Sequence, residues 1–326
     1  MNGLKIGSFE FDIEKAKSEL KDIGAERIMI QLPDGLRTKA DMFMDEFDQE
    51  TVIWGGSCYG ACDIPKDIGE NDALIHFGHA EIPNLEVDYP IIYLPGKSTK
   101  FQDIPEEIFE NLEDKVALYA PIQHVHQLEK MENILSEKGY ETVIGKGDNR
   151  IKYLGQVLGC NYSVKVKDAD SHLYIGTGRF HPIGLSFSLM SDVLIYNPST
   201  GQVDVVDEQE RDDFLRKRFA AIAQAEECSK IGVLVSKKKG QRRIKTAENI
   251  KEIAEKEGKE IILIESDGIK KSSIDDLSLK CAVNTACPRI ALDDSSNYDT
   301  VLLTPEELKI TLKEKDWENW NMDEID

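Results

Sequence analysis

The chain has 326 residues, of which 40 are Lys or Arg and 61 are Asp or Glu, so its formal net charge is −21. Phosphate contacts supply most non-specific affinity for nucleic acids, so a chain this acidic is repelled by nucleic acids and by anionic membranes. The hydrophobic fraction of 40% is sufficient for well-packed cores, and no stretch is long and apolar enough to span a bilayer.

The N-terminus and the cysteine content indicate an intracellular protein. Residues 1–16 contain no apolar segment of the kind found in signal peptides. Six cysteines in 326 residues do not suggest a disulfide framework. We therefore expect a cytoplasmic location and reduced thiols, and we interpret Cys228 and Cys281 as small buried hydrophobic residues.

Short apolar runs alternate with segments of helical spacing along the chain. Continuous β-branched runs of this length are typical of strands that are buried on both faces of a parallel sheet. Apolar residues recur at helical intervals in residues 36–47, 125–135 and 247–254. The predicted strands form three sets of four: residues 27–32, 51–54, 73–77 and 91–94; residues 116–119, 142–144, 172–175 and 193–196; and residues 231–235, 261–264, 282–284 and 300–303.

This alternation predicts an α/β fold of three similar domains, each a small parallel four-stranded sheet with flanking helices. We place the domains at residues 1–95, 96–205 and 206–310, followed by an acidic C-terminal tail at residues 311–326. Identity between the three sets is low, so this division rests on the pattern alone.

Three cysteines, Cys62, Cys160 and Cys287, lie far apart at loop-like breaks between predicted strands. Thiolate ligands favour an iron–sulfur cluster or zinc, and three thiolates would leave one metal corner open for a substrate. Cys58 is close to Cys62, but no second close pair exists, which argues against a zinc ribbon. The spacing alone leaves a metal centre and a chance arrangement equally open.

Glycine-rich loops follow several predicted strands, and ligands of open parallel sheets bind beyond the carboxyl ends of the strands. His76 and His79 end one strand, where they could line a cavity or be satisfied structural histidines. His124 and His126 begin a helix, and we interpret them as surface or capping residues. The basic segment 237–243 is interpreted as solvated. No P-loop, nucleophile elbow or complete dinucleotide fingerprint is present in the sequence.

Five segments of the chain can be considered together: YGACD at 59–63, HFGH at 76–79, GQVLGC at 155–160, YIGTGRFH at 174–181 and TACPR at 285–289. In these segments and their order the chain resembles the archaeal 2-(3-amino-3-carboxypropyl)histidine synthases, the first enzymes of diphthamide biosynthesis. The resemblance covers residues 28–293.

The resemblance implies three similar α/β domains around a central 4Fe–4S cluster, in a homodimer. On the matching positions, Cys62, Cys160 and Cys287 would be the cluster ligands, and Cys58, which precedes the first segment, would not. Conventional radical enzymes use a Cys-x-x-x-Cys-x-x-Cys loop, whereas Pro65 stands at the last position of that pattern here.

The resemblance also implies a reaction. S-adenosylmethionine would bind the open iron, and the cluster, reduced by an electron-donor protein, would cleave the bond from sulfur to the amino-acid side. The resulting 3-amino-3-carboxypropyl radical would add to the imidazole C2 of one histidine in archaeal elongation factor 2. The protein would orient the sulfonium so that the correct bond breaks.

Cofactor contacts can be expected near these segments. Arg289 could pair bidentately with the cofactor carboxylate, or form a structural ion pair. Gly176 and Gly178 could admit the adenosyl part, or form a tight turn. The other residues expected to line the cavity are Arg179, His181, Gln241 and His79. The loop at 236–241 keeps only part of the Gly-Arg-Gln-Gly form of eukaryotic relatives.

Two other classes remain open on the residues. One is a non-catalytic iron–sulfur or ligand-binding partner subunit, against which the presence of all three cysteines argues. The other is an ordinary ligand-binding α/β protein with reduced, unligated thiols.

Overall fold

The computed structural model describes residues 3–325. Residues 1–2 of the predicted first domain and residue 326 of the predicted tail lie outside the described residues. The strands of the described chain are β1 (Leu4–Ile6), β2 (Phe9–Phe11), β3 (Arg27–Gln31), β4 (Glu50–Ile53), β5 (Ala73–Phe77), β6 (Ile91–Leu94), β7 (Lys97–Ser98), β8 (Lys115–Tyr119), β9 (Glu141–Val143), β10 (Ser171–Ile175), β11 (Val193–Tyr196), β12 (Val203–Val206), β13 (Lys230–Ser236), β14 (Glu260–Ser266), β15 (Cys281–Asn284) and β16 (Val301–Leu303).

Helices separate most of these strands, with short 3-10 turns between some of them. The helices are α1 (Ile13–Ile23), α2 (Ala40–Met44), α3 (Glu106–Glu110), α4 (Leu128–Glu137), α5 (Phe180–Leu189), α6 (Glu208–Glu226), α7 (Ile244–Lys256), α8 (Lys271–Asp275), α9 (Arg289–Leu292) and α10 (Pro305–Thr311).

Three sheets share one strand order. They run β4-β3-β5-β6, β9-β8-β10-β11 and β14-β13-β15-β16, so each places its strands in the order second, first, third, fourth. All pairings within these four-strand groups are parallel. Each predicted strand overlaps an observed one, and the predicted α/β fold with parallel sheets is confirmed.

The strands at the centre of these sheets are buried because both faces are covered. All five residues of β5 and four of the five in β3 are buried. In the first core the rings of Phe11, Phe43 and Phe77 pack edge to face, with centroids 4.6 to 5.5 Å apart. These strands therefore end in a well-packed core that fixes the loops at their carboxyl ends.

Four strands were not predicted from the sequence. β1, β2 and β7 form a small sheet whose pairings are antiparallel, and β12 extends the second parallel sheet beside β11. Strands of two to four residues carry too little alternation to be distinguished from loops.

The chain forms two compact units. The first unit comprises residues 1–157, 163–178 and 193–205, and contains the first two parallel sheets. The second comprises residues 158–162, 179–192 and 206–326, and contains the third.

Cys228 and Cys281 are joined by a disulfide in the second unit. Both are buried, as expected, but the expectation that all thiols are reduced was wrong for this pair. The two cysteines are 53 residues apart, and such a pairing cannot be deduced from sequence alone.

The predicted acidic tail is docked on the second unit. Trp320 packs against Phe187 and Phe214, with ring centroids 4.9 and 6.0 Å away. Trp317 packs edge to face on Phe219 at 5.3 Å. Among residues 3–325, no helix combines the length and apolar character needed to cross a membrane.

Candidate functional site

The loop between β4 and β5 carries Cys58 and Cys62 and is closed by Asp63. The Asp63 carboxylate accepts hydrogen bonds from the backbone N–H of Tyr59 (3.1 Å) and from the Ser57 hydroxyl (3.2 Å). Asp63 is 3% exposed, Cys58 is buried and Cys62 is half-buried. The turn therefore holds both thiols in defined positions, with Cys62 the more accessible one.

Gln31, at the end of β3, reaches under this loop. Its side-chain nitrogen donates to the carbonyls of Ser57 (2.9 Å) and Asp63 (2.6 Å), which fixes the direction of the amide. Its Oε1 therefore faces His76 Nδ1 at 2.8 Å. Since an amide oxygen only accepts hydrogen bonds, His76 carries its proton on Nδ1 and presents the lone pair of Nε2.

Sequence reasoning missed Gln31, although a signal was present. It is a polar residue in an apolar run, and it stands directly opposite His76 in the parallel register of β3 and β5.

His76, His79 and Cys58 come together in the first unit. His76 Nε2 lies 2.9 Å from His79 Nδ1 and 4.0 Å from Cys58 Sγ, and the three donor atoms lie within 4.8 Å of one another. The donor types and distances suit a metal ion, but 2.9 Å is also the length of a hydrogen bond from His79 Nδ1 to the His76 lone pair.

Burial keeps all three groups neutral at pH 7. It lowers the pKa of His76 well below its usual value and lowers the pKa of His79 to about 4. Burial and the nearby Asp63 raise the pKa of the Cys58 thiol to about 12. Without a bound ion the group is therefore a hydrogen-bonded network in which Cys58 stays a thiol.

Cys160 lies in a tight loop of the second unit. Leu158 and Asn161 exchange backbone hydrogen bonds of 3.3 and 3.2 Å across it. A methyl group at Gly159 would lie 2.7 Å from the Phe180 ring, so this position accepts only glycine without movement of the ring. The loop is thus packed directly on α5, with the Cys160 side chain half-buried.

Cys287 follows β15 in a loop that Asn284 closes. The Asn284 side chain donates to the Cys287 carbonyl (2.8 Å) and accepts from the Ala286 N–H (3.1 Å). The Thr285 hydroxyl donates to the Leu234 carbonyl at 2.7 Å, which anchors the loop to β13. Cys287 is half-buried.

Arg289 begins α9 and lies over the Phe180 ring, with its guanidinium carbon 5.4 Å from the centroid. Its Nε donates to Asp293 at 2.7 Å, and its terminal amino groups have no partner among residues 3–325. The side chain is 53% exposed. His181 is next to Phe180, and its pKa is lowered to about 4 by burial and by the Arg289 charge. Arg289 can therefore still offer two N–H groups to an anionic ligand.

Gly176 and Gly178 each have a local reason to be glycine. A methyl group at Gly176 would lie 2.8 Å from Pro121 and 2.9 Å from the Tyr174 ring. Gly178 has φ +79°, in the left-handed region that favours glycine. The turn after β10 therefore depends on both residues.

Arg179 and Gln241 belong to the second unit. Arg179 forms an ion pair with Glu210, with Nε donating to the carboxylate at 2.9 Å. Gln241 ends the 3-10 turn Lys239–Gln241 and is 7% exposed, so the segment predicted to be solvated is partly buried. His124 is also not a surface residue, since it is 4% exposed, whereas His126 is exposed, as predicted, and its Nε2 donates to the Ser98 carbonyl at 3.0 Å.

The predicted site residues are divided between the two units. Cys62, His79, Gly176 and Gly178 lie in the first unit, and Cys160, Arg179, His181, Gln241, Cys287 and Arg289 lie in the second. In the second unit the structure brings the Cys160 loop, Phe180, His181 and Arg289 together.

The three half-buried cysteines lie outside the disulfide and follow strands of three different sheets. In chain order, Cys62 and Cys160 come between the second and third strands of the first and second sheets, and Cys287 between the third and fourth strands of the third.

The chain is also similar in sequence to known proteins. Residues 32–321 match the family model of diphthamide synthesis proteins. The chain is 38% identical over 318 residues to the 2-(3-amino-3-carboxypropyl)histidine synthase of Pyrococcus horikoshii, covering 94% of this chain and 91% of that protein. It is 28% identical over 331 residues to the synthase of Methanocaldococcus jannaschii, covering 94% and 90%.

The fold agrees with these relatives. The crystal structure of Dph2 from Pyrococcus horikoshii with a 4Fe–4S cluster matches with a TM-score of 0.87 and 37% identity, covering 97% of this chain and 94% of that chain. The sequence match over most of the chain and the shared fold therefore establish that this chain belongs to the diphthamide synthesis protein family.

Proposed function

We propose that this chain is a 2-(3-amino-3-carboxypropyl)histidine synthase. It would transfer the 3-amino-3-carboxypropyl group of S-adenosylmethionine to C2 of a histidine of archaeal elongation factor 2, the first step of diphthamide biosynthesis. The observation that carries this proposal is that three sheets of one strand order each have one half-buried cysteine in a loop between their strands, in a chain 38% identical to a protein of that name.

Cys62, Cys160 and Cys287 would hold a 4Fe–4S cluster as thiolates. Three ligands for four irons leave one iron available to the substrate. When bound, the cluster supplies the electron that cleaves the sulfonium. Asp63 holds the loop that carries Cys62, and Asn284 holds the loop that carries Cys287.

Arg289 would bind the carboxylate of S-adenosylmethionine. Its two terminal amino groups can form a bidentate pair, because Asp293 occupies only its Nε. Neutral His181 beside it adds no positive charge and can accept or donate a hydrogen bond. The remaining residues that we place around the substrate are Gly176, Gly178, Arg179, Gln241 and His79.

The partners follow from this chemistry. Elongation factor 2 would be the protein substrate, and a reductant or electron-donor protein would supply the electron. The homodimer is carried over from the family resemblance alone. The net charge of −21 argues against nucleic acid as a partner. We place the reaction in the cytoplasm, where elongation factor 2 acts.

The test is anaerobic reconstitution with iron and sulfide, followed by dithionite, S-adenosylmethionine and archaeal elongation factor 2, with products analysed by mass spectrometry. We expect methylthioadenosine and a histidine-modified factor, and no modification of a factor whose target histidine is replaced. Deoxyadenosine as the product, or failure to bind a cluster, would contradict the proposal. A chain that binds the cluster but does not cleave S-adenosylmethionine under any condition would instead be a non-catalytic partner subunit.

A further inference from the structure

The last described residues of the chain are hydrogen-bonded to the loop that carries Cys160. The Ile325 N–H donates to the Cys160 carbonyl at 2.7 Å, and the Asn161 side chain donates to the Ile325 carbonyl at 3.2 Å. The Tyr162 N–H donates to the Glu324 carboxylate at 2.9 Å. Three bonds between two short segments fix the backbone of Cys160 to the C-terminus.

Arg243 connects the same C-terminal segment to the loop of Cys287. Its Nη1 and Nη2 donate to the two Asp323 carboxylate oxygens at 2.7 and 2.6 Å. Its Nε donates to the Thr285 carbonyl at 2.8 Å, and Nη2 also donates to the Ala286 carbonyl at 3.1 Å. These two carbonyls belong to the residues immediately before Cys287.

The arrangement uses the specific geometry of arginine. The Arg243 and Asp323 side chains are 13% and 5% exposed, so the pair is largely removed from water. A lysine has three donors on one nitrogen and cannot reach both the carboxylate and the two carbonyls. The buried pair is costly to desolvate, and its bidentate geometry and extra hydrogen bonds offset that cost.

Docking of the tail as a whole does not require this pair. Trp320 packs on Phe187 and Phe214, and its indole N–H donates to Glu307 at 3.0 Å. Apolar burial thus attaches the segment upstream of Asp323. The polar contacts of Arg243 and residues 323–325 are directed at the two cysteine loops instead.

We propose that Arg243, Asp323, Glu324 and Ile325 form a C-terminal clamp that positions the Cys160 and Cys287 loops for cluster binding. The proposal rests on the proposed function, since it assigns both cysteines as ligands. Arg243 is a positioning residue that acts through the loop carbonyls. Because both loops share the clamp, cluster binding orders the C-terminal segment. By the same coupling, loss of the clamp weakens cluster binding by the factor by which cluster binding stabilises the clamp.

The first test is reciprocal coupling in the wild-type chain. Hydrogen–deuterium exchange of residues 321–325 is measured in the apo and the reconstituted protein under anaerobic conditions. We expect exchange to slow on cluster loading by roughly 5- to 150-fold, the range of typical coupling between sites. Equal exchange in both forms would overturn the clamp.

The second test uses Arg243→Lys, Asp323→Asn and truncation after Met322. Arg242→Lys is the matched control, because Arg242 is exposed and pairs with Glu265 at 2.9 Å, away from the clamp. Release of iron to a chelator and the EPR spectrum of the reduced cluster are compared, together with thermal unfolding of each apo protein. We expect faster iron release and an altered EPR spectrum in the three variants, with wild-type behaviour in the control.

The outcomes separate the clamp from the proposed function. A wild-type protein that binds no cluster overturns both proposals. Clamp variants that keep wild-type iron release and EPR spectra, in a protein that binds the cluster, overturn the clamp alone. If Arg243→Lys lowers the stability of the apo protein, the truncated protein decides whether the clamp supports cluster binding, because the truncation leaves Trp320 docked.

Discussion

The side-chain oxygen of Gln31 accepts a hydrogen bond from His76 Nδ1 at 2.8 Å, and both residues are fully buried on paired strands. This one contact sets the tautomer of His76 and, through it, the direction of the hydrogen bond from His79. A polar residue at the end of a central strand thereby sets the hydrogen bonding of two neighbouring histidines.

Replacement of Gln31 by Leu removes the hydrogen-bond partner of three polar groups. The Ser57 and Asp63 carbonyls and His76 Nδ1 would lose their hydrogen bonds, and each unsatisfied buried group costs about 1–3 kcal/mol. We expect the free energy of unfolding of the apo protein to fall by at least about 2 kcal/mol. Denaturant unfolding measures it, with the exposed Gln209→Leu as control, and an unchanged midpoint would show that the loop relaxes freely.

The pH dependence of stability should contain a histidine contribution. His79 has its pKa lowered from 6.5 to about 4 by burial, so the unfolded chain binds a proton over a range where the folded chain does not. Stability from this group is present above about pH 6.5 and is lost as pH falls towards 4, by on the order of 1–3 kcal/mol.

The measurement compares wild type with His79→Gln by urea unfolding at pH 7 and pH 5. We expect the wild type to lose more stability than the variant on acidification, because glutamine does not titrate. Parallel losses in the two proteins would mean that His79 is solvated in the folded state.

Three cysteines should be essential for the cluster and a fourth should not. We expect Cys62→Ala, Cys160→Ala and Cys287→Ala each to lose most iron and sulfide after reconstitution, because each removes one ligand. Cys58→Ala is the matched control, since its thiol is buried and has its pKa raised to about 12. Iron and sulfide analysis decides the assignment, and cluster loss in Cys58→Ala would make Cys58 a ligand.

Arg289 should serve the substrate and not the cluster. Removal of a charge-assisted hydrogen-bonded pair costs about 1.5–3 kcal/mol, so Arg289→Ala should weaken S-adenosylmethionine binding by roughly 10- to 150-fold. Calorimetry on the reconstituted protein measures the dissociation constant, and iron content serves as the control. Arg289→Lys should recover part of the affinity, whereas loss of iron in Arg289→Ala would assign the residue a structural role.

The sequence predicted the parallel sheets well because strands buried on both faces are continuous apolar runs. Residues 73–77 and 193–196 were predicted with the bounds that the structure shows. The disulfide between Cys228 and Cys281 was not predictable, because local pattern carries no information about a partner 53 residues away.

The polar parts of the site were predicted less completely. Motifs identified His79, Arg289 and the candidate ligands, but a motif does not show which groups hold a side chain in place. Arg243 looked like one member of a solvated basic run, and Asp323 like one charge of an acidic tail. The two residues are 80 positions apart in the sequence, and only tertiary packing brings them together.

The shared strand order has a consequence for the history of the chain. If the three sheets descend from one duplicated ancestral unit, then Cys62 and Cys160 occupy corresponding loops, after the second strand of each copy. Cys287 follows the third strand of its copy and has no counterpart at that position in the other two. Cys287 then does not descend from the same ancestral loop position as Cys62 and Cys160.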